Sequence, residues 1–160
     1  MENVLLGTRL KLFPISTQIQ EINGIHILTI AGCDLADLAE RYGTPLDLHD
    51  RLTLDNCVRE YRNELTTHYP LQIRIIYAGK AFLCTALAQW SQLNDLWPDC
   101  SSAGEVSIAP AVGARPDHIL LHGVNKSISD LQDGVKNAGT LVVDHLDELQ
   151  QLVVNLQDIV

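Results

Sequence analysis

Arg74-Ile75-Ile76-Tyr77-Ala78-Gly79-Lys80-Ala81 is the stretch whose reading decides the fold. It is an apolar run that stops at glycine and delivers one lysine where a helical pattern begins, which predicts a buried parallel strand feeding a helix. A lysine at the carboxyl end of such a strand stands at the mouth of an α/β sheet or barrel, where these folds keep their active sites. There its amine is placed to hold a carbonyl cofactor as a Schiff base. The plainer reading of the same residue is a solvated lysine in the first turn of a surface helix.

Downstream, the helical pattern covers Lys80 to Leu93, and a further strand is expected over Trp97 to Ser101. A helix follows from about Gly104, and Pro110 must shorten or kink it. His118 to His122 reads as the next strand; Ser127 and Asp130 form a capping box ahead of Leu131, Val135 and Ala138, with Gly139 as the stop. Thr140 to Val143 is a fifth strand candidate, and Leu146, Leu149, Val153 and Leu156 make a fifth apolar stripe. Upstream, Thr44-Pro45 opens a strand candidate over Pro45 to His49, followed by Leu54, Val58, Tyr61 and Leu65 at helical spacing up to Tyr69-Pro70. Strand starts thus recur roughly every 21 to 28 residues. Before them, Asp34 caps a short helix whose Leu35, Leu38, Ala39 and Tyr42 share one face and which Gly43 ends. Earlier still, Ile15 to Ile30 alternates apolar and polar residues on both sides of Asn23-Gly24, the pattern of a β-hairpin.

Regular βα repetition forces parallel strands, and so either an open doubly wound sheet or a (β/α)8 barrel. A full barrel takes about 250 residues, and this chain has 160, with an apolar helical pattern running uncapped to Ile159-Val160. One alternative is an open five-stranded sheet, complete as it stands. The preferred expectation is an α/β chain forming an incomplete TIM-type barrel of about five βα units, preceded by a short N-terminal β-hairpin. On this reading residues 1–31 are the hairpin segment and 32–160 the partial barrel. A barrel open at its fifth strand exposes strand edges and an apolar inner face, which predicts self-association or a molten state.

A net charge of -9 and no basic cluster argue against nucleic acid as a partner. No stretch is long and apolar enough to cross a bilayer, and no signal peptide is apparent, so no membrane partner is expected. The cysteines at 33, 57, 84 and 100 are far apart and form no C-x-x-C pair, which predicts reduced, buried thiols and a cytoplasmic location. The polar residues at the carboxyl ends of the proposed strands converge on one rim: His49 and Asp50, then Lys80, then Asp99 with Ser101 and Ser102, then His122 with Asn125 and Lys126, then Asp144.

Several blocks carry a family resemblance: Gly32-Cys33-Asp34, Tyr42-Gly43-Thr44-Pro45-Leu46, Tyr77-Ala78-Gly79-Lys80-Ala81, Ser102-Ala103-Gly104-Glu105, His122-Gly123-Val124-Asn125-Lys126-Ser127, and Val142-Val143-Asp144 with Leu146-Asp147-Glu148-Leu149. In order and spacing the chain, from about Leu12 to Leu152, resembles the N-terminal part of the diaminopimelate decarboxylases, fold-type III pyridoxal-phosphate enzymes of the alanine-racemase-like barrel class. The Y-A-x-K block is shared with ornithine and arginine decarboxylases, whereas Gly-Lys-Ala with H-G-x-N-K-S points to the diaminopimelate branch.

The resemblance implies a carboxy-lyase that converts meso-2,6-diaminopimelate to L-lysine and CO2 with pyridoxal 5'-phosphate, as a homodimer at full length. It makes Lys80 the lysine that holds the cofactor, and Asp99 the aspartate beside the cofactor. His122 and Asn125 fall in a block at the next strand end, near the pocket. The chain departs from the family at Cys100-Ser101, Ala103-Gly104, Asp47 and His49. The family's glycine-rich phosphate loop, ring-stacking histidine, acidic partner of the pyridine nitrogen and E-P-G-R block match no residues here. The alternatives are a non-catalytic remnant or partner-dependent half-barrel, another amino-acid decarboxylase of the same fold, or a small pyridoxal-phosphate carrier.

Overall fold

The computed structural model describes residues 10–156, so the expectation about Ile159-Val160 lies outside the described residues. The chain divides into two compact units, Met1–Pro70 and Leu71–Val160.

In the first unit, β1 (Thr17–Ile22) and β2 (Ile25–Ile30) form the expected antiparallel hairpin, with Ile22 opposite Ile25 and Thr17 opposite Ile30. Asn23 and Gly24 both take positive φ, the requirement of a two-residue hairpin turn that matches strand twist. A two-residue strand, β3 (Cys33–Asp34), returns along β2. Asp34 then caps α1 (Leu35–Tyr42), accepting the Ala36 N–H at 2.8 Å, and Gly43 ends it at φ 83. The second helix, α2 (Arg51–His68), is capped by Asp50, which accepts the Thr53 N–H at 3.0 Å; the Thr53 hydroxyl in turn accepts the Ile15 N–H. Asp50 is therefore buried to satisfy a helix end.

The strand expected over Pro45 to His49 does not form. Pro45 has no N–H to give a ladder, its peptide bond with Thr44 is cis, and no described strand pairs with the segment.

The second unit is a parallel sheet in sequential order: β4 (Ile76–Ala78), β5 (Trp97–Cys100), β6 (Leu120–Leu121) and β7 (Thr140–Leu141). The crossovers are α3 (Thr85–Leu93), α4 (Ala103–Ala111) and α5 (Ile128–Asn137), and α6 (Leu146–Leu156) follows β7. This is the parallel βα layout that the repeat demanded, with shorter strands than the apolar runs suggested.

Period-two alternation along β5 buries Pro98 and Cys100 and turns Trp97 and Asp99 to the other face. Cys100 joins Val106 and Ala109 of α4, Ile119 and Leu121 in a fully buried cluster that Leu83, Ala114, Ala138 and Leu141 extend. Pro110 stands one residue from the end of α4, where a missing N–H costs least for the turns that follow.

Two further expectations are corrected. The helix after β4 does not begin at Lys80. Gly79–Ala81 is a single 3₁₀ turn, Phe82 and Cys84 are extended, and α3 starts at Thr85. The Tyr77 hydroxyl donates to the Phe82 carbonyl at 2.6 Å and holds that extended segment; burial, with Cys84 nearby, raises the phenol above its ordinary value and keeps the donor protonated. The cysteines are free, as expected, but Cys33 and Cys57 are exposed and Cys84 half-buried, because these positions fall on the outer faces of β3, α2 and the turn before α3.

Only Cys100 is deeply buried, and burial, then the Glu105 and Asp99 carboxylates, pushes its thiol up to about 12. A thiol-reactive chromophore is therefore expected to modify Cys33 and Cys57 in the native protein and Cys100 only after denaturation. Rapid native labelling of Cys100, read by peptide mass, would contradict this packing.

Candidate functional site

The candidate site lies at the carboxyl edge of the parallel sheet, where chain direction places every strand-to-helix loop on the same side. Ala78 is in register with Asp99, so Lys80, two residues on, emerges beside the end of β5. Its side chain is exposed and makes no hydrogen bond or ion pair among the described residues. Asp99 is mostly buried: Oδ2 lies 3.7 Å from Nδ1 of the half-exposed His122, and Oδ1 is buried with no hydrogen-bond partner among the described residues. An acceptor left open in that way is unusual in a folded protein and marks a place where a donor from outside fits.

Close backbone approach builds this edge. A Cβ on Gly79 would sit 2.7 Å from the Asp99 carbonyl oxygen, and one on Gly123 would sit 2.5 Å from that of Ser101. Both glycines therefore let the loops after β4 and β6 close against the end of β5. The ladder continues past β6, since the His122 N–H donates to the Cys100 carbonyl at 2.7 Å and the Val142 N–H to that of Leu121 at 2.9 Å.

Carboxylates from the first helical turns hold the loops. Glu105 accepts the Ser101 N–H at 2.6 Å and its hydroxyl at 3.0 Å, and Glu148 accepts the Asp144 N–H at 2.7 Å. Each acid stands four residues beyond the loop residue that it holds. Asp130 completes the Ser127 capping box and also accepts the Ala103 N–H at 2.8 Å, joining two successive loops. Glu148 is paired through Oε1 with Lys126 Nζ at 2.7 Å, with side chains 2% and 1% exposed. At that distance the ammonium and the carboxylate form a charge-assisted pair closed to solvent. Burial alone would raise the Glu148 carboxyl, but Lys126 and the Asp144 N–H together hold it below its ordinary value. For Asp130 the Ser127 hydroxyl, then the Ala103 and Ser127 N–H groups, act in the same direction.

Of the residues expected from sequence, the structure brings Lys80, Asp99 and His122 to this edge. Asn125 is exposed on the loop after β6, at φ 55, and Lys126 turns inward to its ion pair. His49 and Asp50 belong to the first unit. Glu105, Asp130 and Glu148 escaped the sequence reading as site-building residues, although the spacing of Ser101 to Glu105 and of Asp144 to Glu148 was a usable signal. No group of three metal-ligating side chains and no helix long and apolar enough to cross a membrane occurs among the described residues.

At its reactive end a pyridoxal group fits these residues: Lys80 offers an accessible amine and Asp99 an unfilled acceptor. The loop N–H groups of Ser101, Ala103, Ser127 and Asp144 serve carboxylates, not a phosphate.

Residues 54–158 match the family described as pyridoxal-dependent decarboxylase, pyridoxal binding domain. The diaminopimelate decarboxylase of Mycobacterium tuberculosis is 34% identical over 151 residues, which are 94% of this chain and 32% of that protein. That of Mycobacterium leprae is 38% identical over 127 residues, 79% of this chain and 26% of that protein. The crystal structure of diaminopimelate decarboxylase from M. jannaschii in complex with L-lysine superposes with a TM-score of 0.74 at 23% identity, covering 91% of this chain and 33% of that one, a likeness of fold. The chain spans about a third of the length of the curated relatives that it matches.

Alanine at position 79 or 123 meets a backbone carbonyl, of Asp99 in β5 or of Ser101 just after it, which cannot move like a side-chain tip. Gly79→Ala and Gly123→Ala are each expected to cost about 1–3 kcal/mol in urea unfolding, and neutral substitutions would refute the close approach. A second expectation concerns acid. Glu148 and Asp130 have folded values below the ordinary 4.5 and 3.8, so the unfolded chain binds their protons more readily. Their contribution is complete above those ordinary values and is lost as pH falls below them. Asp130→Asn should flatten the lower part of that loss in thermal scans from pH 6 to about 3, and an unchanged slope would contradict it.

Proposed function

The chain belongs to the pyridoxal-dependent decarboxylase family, and from that premise we propose that it carries the lysine-bearing part of a diaminopimelate decarboxylase, which converts meso-2,6-diaminopimelate to L-lysine and CO2. The observation that carries the reading is the placement of Lys80 within the matched residues, on a 3₁₀ turn beside the buried, unfilled Asp99 carboxylate. Pyridoxal phosphate, when bound, supplies the electron sink that makes loss of CO2 from an amino acid feasible.

The chain's own contribution is binding and placement. Lys80 would provide the amine that holds the cofactor aldehyde, and the same amine would be available to hold or pass a proton. Asp99, fixed by the β5 ladder, offers Oδ1 as an acceptor, with His122 along the same edge. Asn125 borders the pocket from the loop after β6. The division proposed is a hairpin segment over residues 1–31 ahead of a cofactor domain at 32–160, with β3 (Cys33–Asp34) carrying the hairpin's sheet across that boundary. The phosphate group and the substrate need partners beyond the residues assigned here, so the proposal includes assembly as a homodimer in the full-length enzyme, with an amino acid as substrate. An acidic chain with free thiols suits the cytoplasm.

The test is capture of the cofactor. With pyridoxal 5'-phosphate the chain is expected to develop a near-ultraviolet band, and borohydride should fix the label on Lys80 ahead of exposed Lys11 and Lys136, with buried Lys126 unlabelled. Lys80→Ala should remove most of that label. Equal labelling of Lys80, Lys11 and Lys136 would overturn the assignment and favour a non-catalytic or partner-dependent half-barrel.

A further inference from the structure

One device at the carboxyl edge is not explained by cofactor capture. Lys126, in the loop after β6, and Glu148, in the first turn of α6, bury opposite charges almost completely, at 1% and 2% side-chain exposure, among neighbours open to water. Two charges taken out of water are rarely kept for strength, because an apolar pair of similar volume is often as stable or more so. A charged pair gives direction instead. Lys126 Nζ donates to the Gly123 carbonyl as well as pairing with Glu148, and Glu148 Oε2 takes the Asp144 N–H. The pair therefore grips the loop after β6 at Gly123 and the loop after β7 at Asp144.

Gly123 immediately follows His122, whose own N–H is held by the Cys100 carbonyl. On the far side Asn125 takes a left-handed conformation that turns the chain inward so that Lys126 is buried. With apolar side chains at 126 and 148, neither the Gly123 carbonyl nor the Asp144 N–H keeps its protein partner. Gly123 is half-buried and Asp144 exposed, so both groups stand near enough to the surface for water to replace the lost partner, and the fold survives while the loop path is freed.

We propose that Lys126 and Glu148 are positioning residues, whose buried ion pair latches the β6–α5 loop to the β7–α6 loop and so fixes His122 beside Asp99 at the edge where Lys80 emerges. The inference rests on reading that edge as the site, but its test needs no cofactor. Amide hydrogen exchange by NMR on the 160-residue chain, together with its thermal midpoint, separates a latch from a simple stabiliser.

Lys126→Met strands the Glu148 charge and is expected to lower the midpoint by about 10 °C; should that variant not fold, the paired variant decides. Lys126→Met/Glu148→Leu is expected to melt within about 3 °C of the parent. Its His122 amide, held by the Cys100 carbonyl, and its Asp144 amide should exchange faster by about tenfold or more, and the His122 ring resonances should move or broaden. The Ala103 amide, held by Asp130, should keep its rate. Parent-like His122 exchange and ring resonances in the paired variant would overturn the proposal, whatever Asp144 does, as would its failure to fold or an acceleration that reaches Ala103 equally. Failure of borohydride capture at Lys80, by contrast, bears on the cofactor reading and leaves the latch standing.

Discussion

A carboxylate drawn out of bulk water must find hydrogen-bond donors, and the carboxyl edge of the parallel sheet depends on that requirement. Glu105, Asp130 and Glu148 each leave the first turn of a helix and reach back to a backbone N–H of a strand-to-helix loop. A helix N-terminus favours negative charge through its dipole and its open N–H groups, so an acid there is held at low cost and is free to hold something else. What it holds is the loop. The repeat of this arrangement along β5, β6 and β7 turns four short strands into a shared, ordered rim. Asp130 makes the rim continuous by contributing to its own cap and to the loop before it.

Much of this layout could be read from residues at short range. The alternation around Asn23-Gly24, the apolar runs spaced by helical stripes and the Ser127–Asp130 box each declare themselves within a few positions, because turn chemistry, side-chain period and capping are local. Lys80 was visible for the same reason, as the residue after a strand that ends in glycine. The start of α3 was not, since nothing in Lys80-Ala81-Phe82-Leu83 forbids a helix. The chain is extended at Phe82 because the Tyr77 hydroxyl holds its carbonyl across the turn. Pro45 to His49 failed in the other direction: its alternating pattern is suited to a strand, but a strand exists only through its partner.

The ion pair of Lys126 with Glu148 was illegible for a physical reason as well. Each residue taken alone looks like an ordinary solvated charge, one after a loop asparagine and one in an amphipathic helix, and only the pairing of β6 with β7 brings them within 2.7 Å. The same holds for the glycines at 79 and 123. As letters they mark turns, whereas in space they are the points at which two loops press on the carbonyls of Asp99 and Ser101, at the end of β5.

These constraints meet at Asp99. Its backbone is fixed on both sides, by Ala78 in β4 and Leu120 in β6, and its side chain is set opposite Cys100 by strand alternation, away from the apolar cluster. One oxygen faces His122 and the other has no donor among the described residues, although the rim around it satisfies the backbone donors of its loops. An edge that spends three acids on loop N–H groups, yet leaves the carboxylate beside Lys80 half unfilled, is not short of hydrogen-bonding capacity. The unfilled oxygen lies on a strand end that a rigid ladder and two glycine contacts fix, beside the turn that carries Lys80. Its cost is offset by the order of the surrounding rim, and an arriving donor finds the acceptor already in place.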